Sequence, residues 1–122
     1  MSDIETELER CRDWIQAALD YGGNTHDFED IVSGVMSGYM QFWPAHDAAA
    51  VTEILTYPKK KVLNIFLAGG NMETIIDMNE SAEYFAKANG CTSMTMAGRK
   101  GWSKVLKDKG YREAFTVLRK EI

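Results

Sequence analysis

Residues 61–89 read KVLNIFLAGGNMETIIDMNESAEYFAKAN, and this stretch decides the fold. Val62, Leu63, Ile65, Phe66 and Leu67 form a near-continuous apolar run, the pattern of a strand covered on both faces. Gly69 and Gly70 then turn the backbone and leave room for something to approach it. Asn71 supplies an N-cap, and Ile75, Met78, Ala82, Phe85 and Ala86 recur at helical spacing up to Gly90. The spacing thus predicts a buried strand, a glycine turn and an amphipathic helix. A helix start of this kind exposes amides with partial positive charge, so it is either a plain connection or an anion site.

The flanking sequence extends this unit on both sides. Ile4, Leu8, Cys11, Ile15, Ala18 and Leu19 predict one helix over residues 3–21, stopped by Gly22 and Gly23. Asn24 or Thr25 caps a second helix carrying Phe28, Ile31, Val32, Val35 and Met36 on one stripe. Residues 40–43 are short, aromatic and closed by Pro44, which suits a sheet edge or a strand end. Residues 49–57 alternate as a strand, and turns at 45–47 and 58–60 make the three strands an antiparallel meander. Residues 92–96 give a further strand, parallel to 61–67 because a helix connects them. A short helix follows over 99–109, closed by Gly110, and a last strand runs over 112–119. The predicted class is α/β (α+β), in the order α-α-β-β-β-α-β-α-β, as one domain over residues 1–122.

Composition narrows the function classes. At 122 residues, with 45% hydrophobic and 26% charged side chains, the chain has ordinary globular values. It lacks a run of about 18 apolar residues, so a membrane span is not expected. The acidic start, MSDIETELER, does not read as a signal peptide. Cys11 and Cys91 stand far apart without metal-ligand spacing. They are read as buried reduced thiols in a cytoplasmic protein, and with His26 and His46 as the two histidines no metal site is expected.

Net charge is −4 but unevenly spread. Residues 1–50 hold ten acidic side chains against two basic ones, whereas 51–122 hold eight acidic against twelve basic. The basic part either meets a phosphate-bearing ligand or an acidic partner, or simply faces water. Nucleic acid is not indicated, because the chain is acidic overall and has no aromatic-interleaved basic motif.

The element order, the Gly-Gly turn after the central strand and the segment GCTSMTMAGRKGWSKVLKDKGYRE resemble the GNAT (N-acetyltransferase-like) superfamily, including small GNAT-like proteins encoded in phage and prophage genomes. The short helix ending in a Gly-aromatic pair is matched by Gly110-Tyr111. The resemblance implies acetyl-CoA or another acyl-CoA as cofactor and an amine as acceptor, without a metal. The pantetheine would lie against splayed central strands and the pyrophosphate near Gly69, Gly70 and Asn71, with Arg99 and Lys100 supplying positive charge.

The sequence also departs from that pattern. The GNAT pyrophosphate loop, Gln/Arg-x-x-Gly-x-Gly/Ala, is reduced to Ala68-Gly69-Gly70-Asn71-Met72, and Glu73 adds a negative charge to the first helical turn. Leu106 stands where GNAT enzymes often carry a proton-donating Tyr, and Arg99 where they carry an Asn. Glu53, with His46 and Tyr57 near it in sequence, is the candidate catalytic base, acting through water. Two readings follow. One is an N-acyltransferase with reduced motifs. The other is a catalytically inactive GNAT-fold interaction protein, such as a phage virion or assembly component, built into a homo-oligomer or a larger assembly in the particle rather than the cytoplasm.

Overall fold

The computed structural model describes residues 3–98 and 100–122, with Lys100 described in its backbone alone. Helices α1 (Asp3–Arg10), α2 (Arg12–Tyr21) and α3 (Phe28–Met36) precede strands β1 (Met40–Pro44), β2 (Ala48–Thr56) and β3 (Lys61–Gly70). Helix α4 (Met72–Ala88), strand β4 (Cys91–Met96) and helix α5 (Lys100–Leu106) follow, and a 3-10 turn over Lys107–Lys109 ends at Gly110.

The sheet order is β1-β2-β3-β4. β1, β2 and β3 pair antiparallel, and β4 joins β3 in parallel after the α4 crossover. Helices cover both faces. On one, Leu8, Cys11, Ile15 and Leu19 of the first helices and Phe28 and Ile31 of α3 bury against Met40, Ala49, Val51 and Leu67. On the other, Ala82 and Ala86 of α4 pack on Leu63, Cys91, Trp43 and Ile54. This two-sided cover explains why β3 is apolar along most of its length rather than alternating.

Three expectations change. The helix over 3–21 is divided at Cys11, whose buried side chain sits at the break between α1 and α2. The cap of α3 is Asp27 rather than Asn24 or Thr25. Its carboxylate accepts from the Asp30 amide while the Asp30 carboxylate accepts from the Asp27 amide, a reciprocal capping box. The strand expected over 112–119 does not form. That segment has neither helix nor strand, and Phe115, Val117 and Leu118 are exposed. Both cysteines are buried and unpaired, and burial raises the Cys11 thiol above its ordinary pKa.

Candidate functional site

β3 and β4 part company half-way along. Their register runs from Lys61↔Cys91 to Ile65↔Met96 and stops there, although β3 continues to Gly70. At the same point β3 bulges against β2: Val51 pairs with Leu67 and Thr52 with Ile65, leaving Phe66 unmatched. A bulge bends its strand and ends regular pairing. β3 therefore turns off where β4 ends, and the edge of β3 from Phe66 to Gly70 is without a strand partner on the β4 side. The gap beside β3 beyond the last β3–β4 pair, Ile65↔Met96, is termed the V.

The apex of the V has an apolar floor. Ile65 and Met96 meet Ile75, Met78 and Ala82 of α4 and Trp102 and Leu106 of α5 around a cavity of about 30 Å³. The floor's polar groups are already partnered. Trp43 Nε1–H donates to Thr52 Oγ1 at 2.9 Å, and the Thr52 hydroxyl donates to Gln41 Oε1 at 2.9 Å. Asn79, on the α4 side, accepts from the Tyr111 hydroxyl at 2.7 Å. Burial, with the Glu83 carboxylate adding to it, pushes the Tyr111 phenol up to about 12.

The opposite face of the V carries a polar row. Glu53, Asn64 and Thr95 sit side by side on β2, β3 and β4. Thr95 Oγ1 donates to Asn64 Oδ1 at 2.9 Å, and Asn64 Nδ2 donates to Glu53 Oε2 at 3.0 Å. Glu53 thus faces the α1–α3 layer, on the strand next to β3, which borders the apex. His26, in the α2–α3 loop, packs edge-on to Phe66 with ring centroids 4.8 Å apart, and its Nδ1 lies 2.8 Å from Thr25 Oγ1. The bulged residue therefore carries a histidine beside the opening.

The far end of β3 leads into α4. Asn71 caps the helix, its Oδ1 accepting from the Glu73 and Thr74 amides. The Asn71 amide itself donates to the Asp47 carbonyl at 2.9 Å. Gly70 has φ of +105°, and a Cβ there would collide with Asp47 and Ala48; a Cβ on Gly69 would lie 2.6 Å from the Trp14 carbonyl oxygen. Close packing of β3 on α2 and on the β1–β2 turn is thus one full reason for the glycine pair.

The overall fold recurs in solved structures described as acetyltransferases. A protein described as a probable acetyltransferase superposes with a TM-score of 0.71 at 11% identity, over 96% of this chain and 93% of that one. A GNAT-family acetyltransferase from Staphylococcus aureus gives 0.61 at 10% identity, over 100% and 95%. This chain has the GNAT fold. An aminoglycoside acetyltransferase from an uncultured soil metagenomic sample, solved with sisomicin, shares it at a TM-score of 0.66 and 9% identity, over 97% and 91%. No protein-family profile matches the sequence, and no curated protein does.

In GNAT terms, the residues named from the sequence fall in separate places. Gly69, Gly70 and Asn71 lie together where the GNAT fold passes from the central strand to its helix. Glu53 is on the other side of the apex, and of its sequence neighbours the His46 carbonyl accepts from Arg10 while Tyr57 is exposed. Arg99 and the side chain of Lys100 lie outside the described residues. Leu106 is buried in the cavity wall, an apolar surface rather than a proton donor. Asn64, Thr95, Asn79 and His26 were not singled out by the sequence reading. Asn64 alone carried a visible signal, as the one polar residue inside the apolar run. Among the described residues no cluster of His, Cys, Asp or Glu could hold a metal ion, and no helix is long and apolar enough to cross a membrane.

The fit to an acyl-CoA differs along its length. The unpaired β3 edge from Phe66 to Gly70 suits the amide-bearing pantetheine arm, which can bond to it as a strand would. The α4 start fits a pyrophosphate less well. Its Glu73 and Thr74 amides are held by Asn71, and Glu73 brings a like charge.

Proposed function

We propose that this protein is a GNAT-fold N-acyltransferase that takes acetyl-CoA or another acyl-CoA in the V between β3 and β4. The observation that carries the reading is the coincidence of the Phe66 bulge with the last β3–β4 pair, Ile65↔Met96, which leaves a strand edge open above an apolar floor. In this reading the pantetheine lies along β3, and the pyrophosphate lies near Gly69, Gly70 and Asn71, displacing the Asn71 side chain from the amides it holds. Arg99 and Lys100 add positive charge.

The acceptor approaches from the α1–α3 face. That layer is acidic, with Asp20, Asp27, Glu29 and Asp30 exposed around the α2–α3 connection, which favours a cationic amine, as in the aminoglycoside enzyme of the same fold. Glu53 acts as base through water, held by Asn64 and Thr95. Amine attack on the acyl carbonyl forms the C–N bond and breaks the C–S bond, the amine proton passes through that water to the Glu53 carboxylate, and CoA leaves as the thiolate, which takes a proton from solvent.

Isothermal titration with acetyl-CoA and with free CoA tests the reading. Micromolar binding of both is expected, and Glu53→Gln should leave that binding intact while lowering transfer to an amine by about 10²-fold or more. No heat and no thermal stabilisation at millimolar ligand would sink it. The engaged amides at the α4 start and the apolar Leu106 would then favour the second reading, an inactive GNAT-fold interaction module.

A further inference from the structure

A second cavity, of about 360 Å³, lies toward the other end of α4. Its walls are the helix from Asn79 to Lys87, the start of β4 and the turn from Lys109 to Arg112. The glycine pair beside the V leads into the α4 start at Asn71, and Glu83 stands about 18 Å further along by the helical rise. Asn79 is the residue shared with the apolar floor of the V, and the hydrogen bond it accepts from Tyr111 forms the partition.

The backbone explains why a cavity forms here. β4 begins with a bulge: Cys91 pairs with Lys61 and Ser93 with Val62, which leaves Thr92 unmatched. A bulge re-aims side chains. Cys91, Thr92, Ser93 and Met94 in succession all line the cavity, where a regular strand would turn alternate ones away. Gly110, with φ of +89°, then turns the chain so that Lys109 and Arg112 meet the same space.

The lining has a charge opposite to that of the whole chain. Lys87, Lys109 and Arg112 stand against one carboxylate, Glu83, a balance of +2 in a protein of net charge −4. Glu83 lies 4.0 Å from Lys87, and among the described residues neither Lys109 nor Arg112 joins an ion pair. Ser93 presents an exposed hydroxyl, and Ala86 and Met94 add apolar surface. The volume falls within the range of small-molecule sites. Part of the basic excess of residues 51–122 thus converges on a hollow rather than on open water.

We propose that this cavity binds a small organic phosphate monoester, separately from any acyl-CoA in the V. Such a group carries close to two negative charges near neutral pH, which the lining matches. Arg112 offers a planar fork to two phosphate oxygens, the lysines add point charges, and the Ser93 hydroxyl donates. Ala86 and Met94 receive the organic body, which free phosphate lacks.

NMR titration of the nitrogen-15-labelled full chain with phenyl phosphate and with inorganic phosphate, at fixed ionic strength, tests this. Phenyl phosphate should shift the amides of 83–87, 91–94 and 109–112, and inorganic phosphate should shift the same amides with weaker affinity. Lys109→Gln/Arg112→Gln, altered at exposed positions, should keep its circular dichroism and bind phenyl phosphate about tenfold more weakly or worse. The absence of any shift up to about 20 mM phenyl phosphate overturns the proposal. So does an affinity that the double variant leaves unchanged. Shifts confined to Gly69–Thr74, or displacement of phenyl phosphate by acetyl-CoA, also overturn it, because the anion would then sit at the α4 start.

Discussion

The missing side chain of Gly69 leaves room for the Trp14 carbonyl: a Cβ there would stand 2.6 Å from that oxygen. α2 therefore sits on β3 at a distance that only glycine permits, next to the end of the open β3 edge. Gly69→Ala should cost about 1–3 kcal/mol through overpacking. Gly70→Ala should cost at least as much, because Gly70 also has φ of +105°. Urea unfolding of both variants measures this. It also means that a ligand-binding test at Gly70 must be read beside the stability of the same variant.

Thr52 is the hinge of a three-residue chain, accepting from Trp43 and donating to Gln41. Thr52→Val keeps the shape but leaves the indole N–H without its acceptor, at an expected cost of about 1–3 kcal/mol. Thr52→Ser should retain most of the stability. Equal losses in the two variants would show that the methyl group, not the hydroxyl, is what β2 needs there.

Asn71→Ala separates capping from ligand binding. Loss of the cap should lower stability by about 1 kcal/mol. The Glu73 and Thr74 amides become free to meet phosphate, so acetyl-CoA affinity should hold or rise. A tenfold weaker affinity in titration calorimetry would instead mean that the Asn71 side chain itself holds the cofactor.

Tyr111 makes stability pH-dependent at the alkaline end. Its phenol is raised in the folded state to about 12, against about 10 in the unfolded chain. Between those values the unfolded chain binds fewer protons, so stability falls as pH rises. The contribution is complete below about pH 10 and lost by about pH 12. Tyr111→Phe should remove this slope, seen in urea midpoints between pH 9 and 12, and cost about 1 kcal/mol at neutral pH through the lost Asn79 hydrogen bond.

The architecture was legible in the sequence wherever one local pattern controlled it. The apolar run of β3, the Asn71 cap and the parallel placement of β4 all follow from periodicity and crossover geometry. The α3 cap was misplaced because Asn24, Thr25 and Asp27 are all competent caps, and only the reciprocal bond with Asp30 decides among them. The 112–119 segment has strand periodicity, but alternation specifies a partner only when an edge of the same chain lies within reach. The site was harder to see. Glu53, Asn64 and Thr95 are 11 and 31 residues apart, and a row of that kind comes from register. His26 reaches Phe66 only through the fold of the α2–α3 loop.

The Phe66 bulge has a consequence for descent. One extra residue in β3, rather than any particular side chain, bends the strand and opens the V. What must be inherited is therefore a count of residues between two pairing positions. Such a count can survive almost complete replacement of the amino acids around it, and this chain shares its overall fold with a protein only 11% identical to it.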